Sequence, residues 1–240
     1  MSLENEQDPT AYDRAYVLDN RLTLQWYPKR VAALAQGGSM LELGLGHGYS
    51  TEYFAKTFQR YRVVEGSREM IDRFKERFTT EGVDIVQGYF EDFETDERFD
   101  AIGMGFVLEH VDDPAAIIRR YARFLSPGGS IYIAVPNAES LHRRLGNAAG
   151  LLPDIGALSP ADLEFGHKRY FTMESLTAMV ENEALEIRRV EGLLLKPITT
   201  QQMIDLNLSE AILQAMLKVG VDYPELCNSL LIQASRSVQQ

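Results

Sequence analysis

From Met40 to Val135, short apolar runs alternate with amphipathic stretches. Met40–Leu45, Tyr61–Glu65, Val83–Gln87, Ala101–Met104 and Ile131–Val135 are each bounded by polar or turn-forming residues and read as strands. Residues 50–59, 67–79 and 114–125 carry apolar positions at helical spacing. An N-terminal stretch, 11–36, is also helical, with Tyr16, Val17, Leu22, Leu24, Tyr27, Val31 and Leu34 as its apolar set, and Gly37-Gly38 ends it. Two more strands are expected late, at Leu185–Leu195 and Ser229–Ala234. Between them Ser209 caps an apolar helix that stops at Gly220. Strands that alternate with helices predict a doubly wound α/β fold, with a mostly parallel sheet between helical layers.

Residues 137–171 break the rhythm. They hold Gly146, Gly150, Gly156 and Gly166, and Ser159-Pro160 reads as a helix cap followed by proline at the first helical position. The segment is expected to form a mobile helical lid over the sheet. Thr172 then caps a helix, with Phe171 and Leu176 as a hydrophobic staple. No linker divides the chain, so 1–240 is expected to be one domain. It comprises an N-terminal helical segment (1–37), a core (38–136), the lid (137–171) and the remainder of the sheet (172–240).

Composition narrows the partners. The formal net charge is −11, which argues against nucleic acid and anionic membranes as partners. The Arg143, Arg144, Lys168 and Arg169 positions leave room for a local basic patch. Cys227 is the one cysteine, so no intrachain disulfide forms, and a reducing compartment fits. The polar, acidic start lacks the pattern of a secretory signal, and no apolar run is long enough to span a bilayer. The cytoplasm is the expected location. A homodimer is compatible with the sequence, which does not set the oligomeric state.

The sharpest chemical signal is Leu41-Glu42-Leu43-Gly44-Leu45-Gly46-His47-Gly48, a strand that runs into glycines at every second position before a helix. Such a loop admits positive φ and lets a ligand approach the backbone and the free N–H groups of the helix start. The third glycine falls one residue early for the dinucleotide fingerprint G-x-G-x-x-G. Glu65 ends the second strand, where an acidic side chain in this fold accepts hydrogen bonds from ribose hydroxyls.

With these residues the chain resembles the class I S-adenosylmethionine-dependent methyltransferases, in the subgroup that acts on small molecules. Leu41–Gly48 is similar to the family's first motif and Val64-Glu65-Gly66-Ser67 to its second. Gly88-Tyr89-Phe90-Glu91-Asp92-Phe93, Phe106-Val107-Leu108-Glu109-His110-Val111 and Leu125-Ser126-Pro127-Gly128-Gly129 also match by position. The resemblance implies a Rossmann-like sheet of seven strands that ends with an antiparallel C-terminal strand, for which Ser229–Ala234 is placed. It implies that S-adenosyl-L-methionine is the cofactor. Gly44, Gly46 and Gly48 would pass around its methionyl group, within a motif that includes Glu42 and Leu45. Glu65, beside Gly66, would hold the ribose, Tyr89 and Phe90 would border the adenine, and Gly105 and Phe106 would lie near the sulfonium. Tyr89 departs from the usual acidic residue, so stacking or a backbone contact at Phe90 is expected to substitute.

The implied reaction is in-line methyl transfer to a small-molecule acceptor, with oxygen as the favoured atom. A hydroxyl acceptor benefits from a general base. His110, after the fourth strand, and His167, at the end of the lid, are the candidates, with Tyr170 as a further polar contact. His47 is expected to shape the glycine loop and His142 to lie on the surface. Tyr12 and Tyr16 are placed to close the pocket from the N-terminal helix. Glu109-His110 hints at a metal, but no third ligand stands at a fitting spacing, so none is expected. A nicotinamide-dependent oxidoreductase and a non-catalytic relative are the alternatives that the same residues leave open.

Overall fold

A computed structural model describes residues 17–78 and 81–237. Helix α1 (Val17–Leu34) precedes strand β1 (Ser39–Leu43), α2 (Tyr49–Thr57), β2 (Arg60–Glu65), α3 (Arg68–Arg77) and β3 (Asp84–Gln87). Then come β4 (Phe99–Gly105), α4 (Pro114–Ala122) and β5 (Leu125–Pro136). The chain continues through α5 (Leu141–Ala148), α6 (Pro160–Glu164), α7 (Met173–Asn182), β6 (Leu185–Gly192), α8 (Thr200–Asp205), α9 (Glu210–Gly220) and β7 (Ser229–Arg236). The seven strands form one sheet in the order β3-β2-β1-β4-β5-β7-β6. All pairs from β3 to β5 are parallel, and β7 runs antiparallel to both β5 and β6. The expected architecture, including the antiparallel C-terminal strand, is observed.

Helices cover both faces, which explains why the central strands are mainly apolar on both sides rather than alternating. Leu41, Leu43, Ile102, Met104, Ile131 and Ile133 face the layer of α4 and α7, while Met40, Val63, Ala101, Tyr132 and Ala134 face α1, α2 and α3. Tyr27 of α1 lies flat on β4, where a Cβ added to Gly105 would come within 2.6 Å of its ring. The order of strands reverses between β1 and β4, so a crevice opens beyond their carboxyl ends.

Several boundaries differ from the pattern. Strand β5 begins at Leu125, because Phe99 pairs with Leu125 while Ala101 pairs with Ser130, and residues 126–129 bulge out between these contacts. Strand β6 stops at Gly192, and the short helix α8 was not expected. Residues 11–16, with Tyr12 and Tyr16, lie outside the described residues. Among the described residues no helix is long and apolar enough to cross a membrane.

The start of the sheet is tied by one carboxylate. Asp100 Oδ2 accepts hydrogen bonds from the Gly38 and Ser39 amides and the Ser39 hydroxyl at 2.9, 3.1 and 2.8 Å. Burial alone would raise the Asp100 pKa, but these donors outweigh it and hold the group below its ordinary value. Its stabilisation is therefore full above the unfolded value of about 3.9 and is lost as pH falls through the lower folded value. Asp100→Ala is expected to lose about 1.5–3 kcal/mol at neutral pH, measured by urea unfolding. The loss relative to wild type should shrink as pH falls below about 4; a pH-independent difference would show that the carboxylate charge plays no role.

Candidate active site

The first half of the site is built by β1, β2 and the turns that follow them. As β1 ends, the Gly44 amide still bonds to the Val64 carbonyl at 2.8 Å, and the chain then turns through Leu45–Gly48 into α2. Gly48 caps α2 at φ 83°, and a Cβ there would lie 2.5 Å from the Phe78 ring. Both constraints select glycine. The Glu65 carboxylate, at the end of β2, accepts from the Leu45 amide at 3.0 Å and the Ser67 amide at 2.7 Å. It thereby joins the glycine loop to the next turn. Burial pushes its pKa up, against the pull of the amides that donate to it.

These turns wall a cavity of about 130 Å³ that contains Gly44, Leu45, Gly46, Glu65, Phe90, Gly105 and Phe106 from the expected set. Four expected residues do not line it. Glu42 is buried behind the loop, where the Thr51 and Tyr61 hydroxyls donate to it. Burial pushes its pKa up to about 7 against those donors. Gly48, Gly66 and Tyr89 also stand outside the lining. Other residues complete the wall: Ser67 and Val107 from the matching motifs, and Tyr49 and Met70 from beyond them. His47 lines it too, and its ring stacks on Tyr49.

Phe106 follows β4 with φ 59°, a conformation rare for a bulky residue, while its amide still bonds to Ala134. Its ring and His110 line both this cavity and a second one of about 290 Å³. The second cavity lies under residues 137–171, which supply His142, Arg143, Ser159, Asp162, Phe165, His167 and Tyr170 to its wall. The ends of that segment are tied together by the Asn137–Phe171 bridge. Its far end is strapped onto the turn after β4. The Lys168 amide donates to the Glu109 carbonyl at 2.8 Å, and the Arg169 guanidinium donates to the carbonyls of Leu108, Val111 and Asp112.

This strap brings His167 to Glu109 and His110. The two imidazole rings meet edge to face, with centroids 4.8 Å apart. His167 Nδ1 lies 3.3 Å from Asp162 Oδ1, and Asp162 also accepts from the Tyr170 hydroxyl at 2.8 Å and from Ser159. Burial lowers the His167 pKa, but Asp162 and Glu109 outweigh it and raise the group above its ordinary value. Burial, then the charge on His167, pushes His110 down to about 3. Glu109, completely buried, is pushed up to about 7. The three histidine and carboxyl groups are thus electrically coupled, and His167 is the histidine whose protonated form the surroundings favour.

Two surface expectations fail. His142 is half-buried, lines the second cavity and is pushed down to about 3 by burial and the nearby Lys196 and Arg143 charges. Arg143 is buried and donates to the carbonyls of Ala138, Ile155 and Ala157, while Arg169 serves the strap, so no basic patch forms from these four residues. The spacing of Arg143 along α5 gives no sign that its partners are carbonyls of a later loop.

A family model described as "Methyltransferase domain" matches residues 12–190. The chain is 29% identical over 169 residues to a ubiquinone biosynthesis O-methyltransferase of Xanthomonas oryzae pv. oryzae, a match that covers 67% of this chain and 68% of that protein. It is 28% identical over 124 residues to cypemycin N-terminal methyltransferase of a Streptomyces species, covering 50% of this chain and 51% of that one. The fold superimposes on an S-adenosylmethionine-dependent methyltransferase of Thermotoga maritima with a TM-score of 0.65, at 19% identity over 96% of both chains. These matches set the nicotinamide alternative aside: the chain belongs to the methyltransferase-domain family, as an enzyme that uses S-adenosylmethionine.

Proposed function

We propose that this methyltransferase acts on an oxygen atom of a small-molecule acceptor bound in the second cavity, with His167 as the general base. The observation that carries the reading is that two neighbouring cavities share Phe106 and His110 as lining residues, with the His167–Asp162 pair in the wall of the second. S-adenosylmethionine suits the first cavity. A Cβ at Gly46 would meet nothing within 4 Å, so the backbone there is open to a ligand. The Glu65 carboxylate, beyond the two amides it already accepts, retains lone pairs for ribose hydroxyls. When bound, the sulfonium supplies a methyl group that is already activated for displacement.

The chain's task is then to align the acceptor and take up its proton. Alignment of two bound reactants supplies about 7–11 kcal/mol. A neutral amine already offers a lone pair, whereas a hydroxyl gains from a base, and the buried Asp162–His167 pair favours oxygen on that ground. Asp162 orients the ring and stabilises the imidazolium that forms; Tyr170 in turn donates to Asp162. Among the named relatives, the ubiquinone enzyme is an O-methyltransferase and the cypemycin enzyme acts at an N-terminus, so the family name alone does not choose the atom. On this reading residues 137–171 cover the acceptor and open to admit it.

The acceptor is to be found by incubating the enzyme and methyl-labelled cofactor with metabolite extracts, with mass spectrometry of the labelled product. A label on nitrogen or carbon would overturn the oxygen assignment. With that acceptor, His167→Ala should lower turnover by about 10²–10⁴-fold while cofactor affinity, measured by calorimetry, stays near wild type. Neutral imidazole is the active form, and its pKa is raised. The acid limb of kcat/KM should therefore fall at a pH above about 6.5 and move to lower pH in Asp162→Asn. A limb that stays in place would remove Asp162 and His167 from the proton transfer, and an equal loss in His110→Ala would shift the role to that ring.

Glu65→Ala should raise the cofactor's Kd by about 5–150-fold, the equivalent of about 1–3 kcal/mol, with the fold retained by circular dichroism. An unchanged Kd would leave Glu65 only as the anchor of the glycine loop.

A further inference from the structure

Glu109, His110 and His167 each offer one ligand atom, and the three atoms lie within 4.8 Å of one another. Both Glu109 oxygens are buried without a hydrogen-bond partner, and so is His110 Nδ1. A buried carboxylate in that state is costly unless a cation or proton joins it. Two imidazole nitrogens and one carboxylate oxygen are a donor set for a borderline divalent cation, Zn²⁺ being the leading case.

The outer contacts have the matching form. The His110 ring has the Gly166 carbonyl as its other partner, which leaves Nδ1 to face the cluster. Asp162 stands at His167 Nδ1, which leaves Nε2 for a ligand role. A carbonyl or carboxylate on the far nitrogen is what fixes the tautomer of a metal-binding imidazole. Tetrahedral bonds of about 2.0–2.1 Å place neighbouring ligands about 3.4 Å apart, so the cluster must close by about 1.4 Å. Rotation of the His167 ring about its two side-chain torsions sweeps Nε2 through a larger distance than this, and Gly166 before it has φ 76°.

We propose that Glu109, His110 and His167 form a binding site for a divalent cation of the zinc class, with its open position toward the acceptor cavity. The proposal rests on the reading of that cavity given above and adds a competition. The lone pair by which His167 takes the acceptor's proton is the one the cation occupies, so the cation-bound enzyme lacks its base and zinc inhibits transfer.

The test uses the full chain, stripped by chelator and titrated with Zn²⁺ against a chromophoric chelator, with Co²⁺ absorption as a second probe. One-to-one binding is expected. Glu109→Gln and His167→Ala should each weaken it by no less than the ~10–100-fold typical of outer-shell partners, whereas the exposed Glu181→Gln should leave it unchanged. Thermal melts check that the variants fold, and two different ligand variants keep the test intact if one does not. Failure of the wild type to bind, or binding that survives in both ligand variants, overturns the site. Turnover with the acceptor from the extract screen separates this from the base assignment. Inhibition by Zn²⁺ that chelator reverses supports both. Stimulation by Zn²⁺ leaves the site standing and overturns both the inhibition and His167 as the base. Absent binding, together with a large loss in His167→Ala, removes the site and leaves the base.

Discussion

The second cavity of this molecule depends on how the turn after β4 satisfies its carbonyl groups. As β4 ends, the carbonyls of Leu108, Glu109, Val111 and Asp112 leave the sheet and need donors from elsewhere. Residues 168 and 169 supply them, through the Lys168 amide and the Arg169 guanidinium. A guanidinium has five N–H groups in a fixed fork, so one side chain can hold several carbonyls at once. The chain direction into Arg169 then leaves little choice for the preceding residues: His167 must lie against Glu109 and His110. The chemistry of the second cavity follows from a backbone requirement met about 60 residues further along the chain.

The cofactor side follows the same logic with the charges reversed. There the unsatisfied groups are amides, those of Leu45 and Ser67 at two consecutive turns, and a carboxylate, Glu65, answers them. The glycine loop is held in shape before any ligand arrives, which limits the ordering cost of binding. Glu42 has a comparable role in a deeper layer, with hydroxyls from α2 and β2 around it. The two glutamates of the first motifs thus differ in reach: Glu65 looks into the cavity and Glu42 does not.

This division explains what was legible in the sequence. The sheet was, because burial on both faces writes apolar runs into the central strands and glycines such as Gly44 and Gly48 mark the turn that follows β1. The glycine loop and Glu65 were, because they come from two adjacent strand ends within a short stretch of chain. His110 and His167 are both candidates in the sequence, but their meeting was not legible, since they stand 57 residues apart in the chain and come together through the Arg169 strap. Arg143 misled for a similar reason: an arginine on a short helix looks solvated until a later loop, Ile155–Ala157, offers its carbonyls. Local period encodes which face is apolar. It does not encode which distant polar group will answer a buried one.

The two halves meet at Phe106. A non-glycine residue at φ 59° carries a cost of about 1–3 kcal/mol. The Phe106 amide is still paired with Ala134, so the sheet remains intact up to the last residue of β4 and the chain departs from it at this residue. The ring turns out of the strand, edge-on to Tyr27 and into the wall that both cavities share. On the proposed function, that wall is where a methyl group would pass from donor to acceptor in line. An apolar ring at the junction excludes water from the path without offering a competing nucleophile, whereas a serine or cysteine there would offer one. On that reading the strain lies where displacement geometry is most demanding, and Tyr27 and Leu108, fully buried on either side of the turn, pack the surrounding core that holds it.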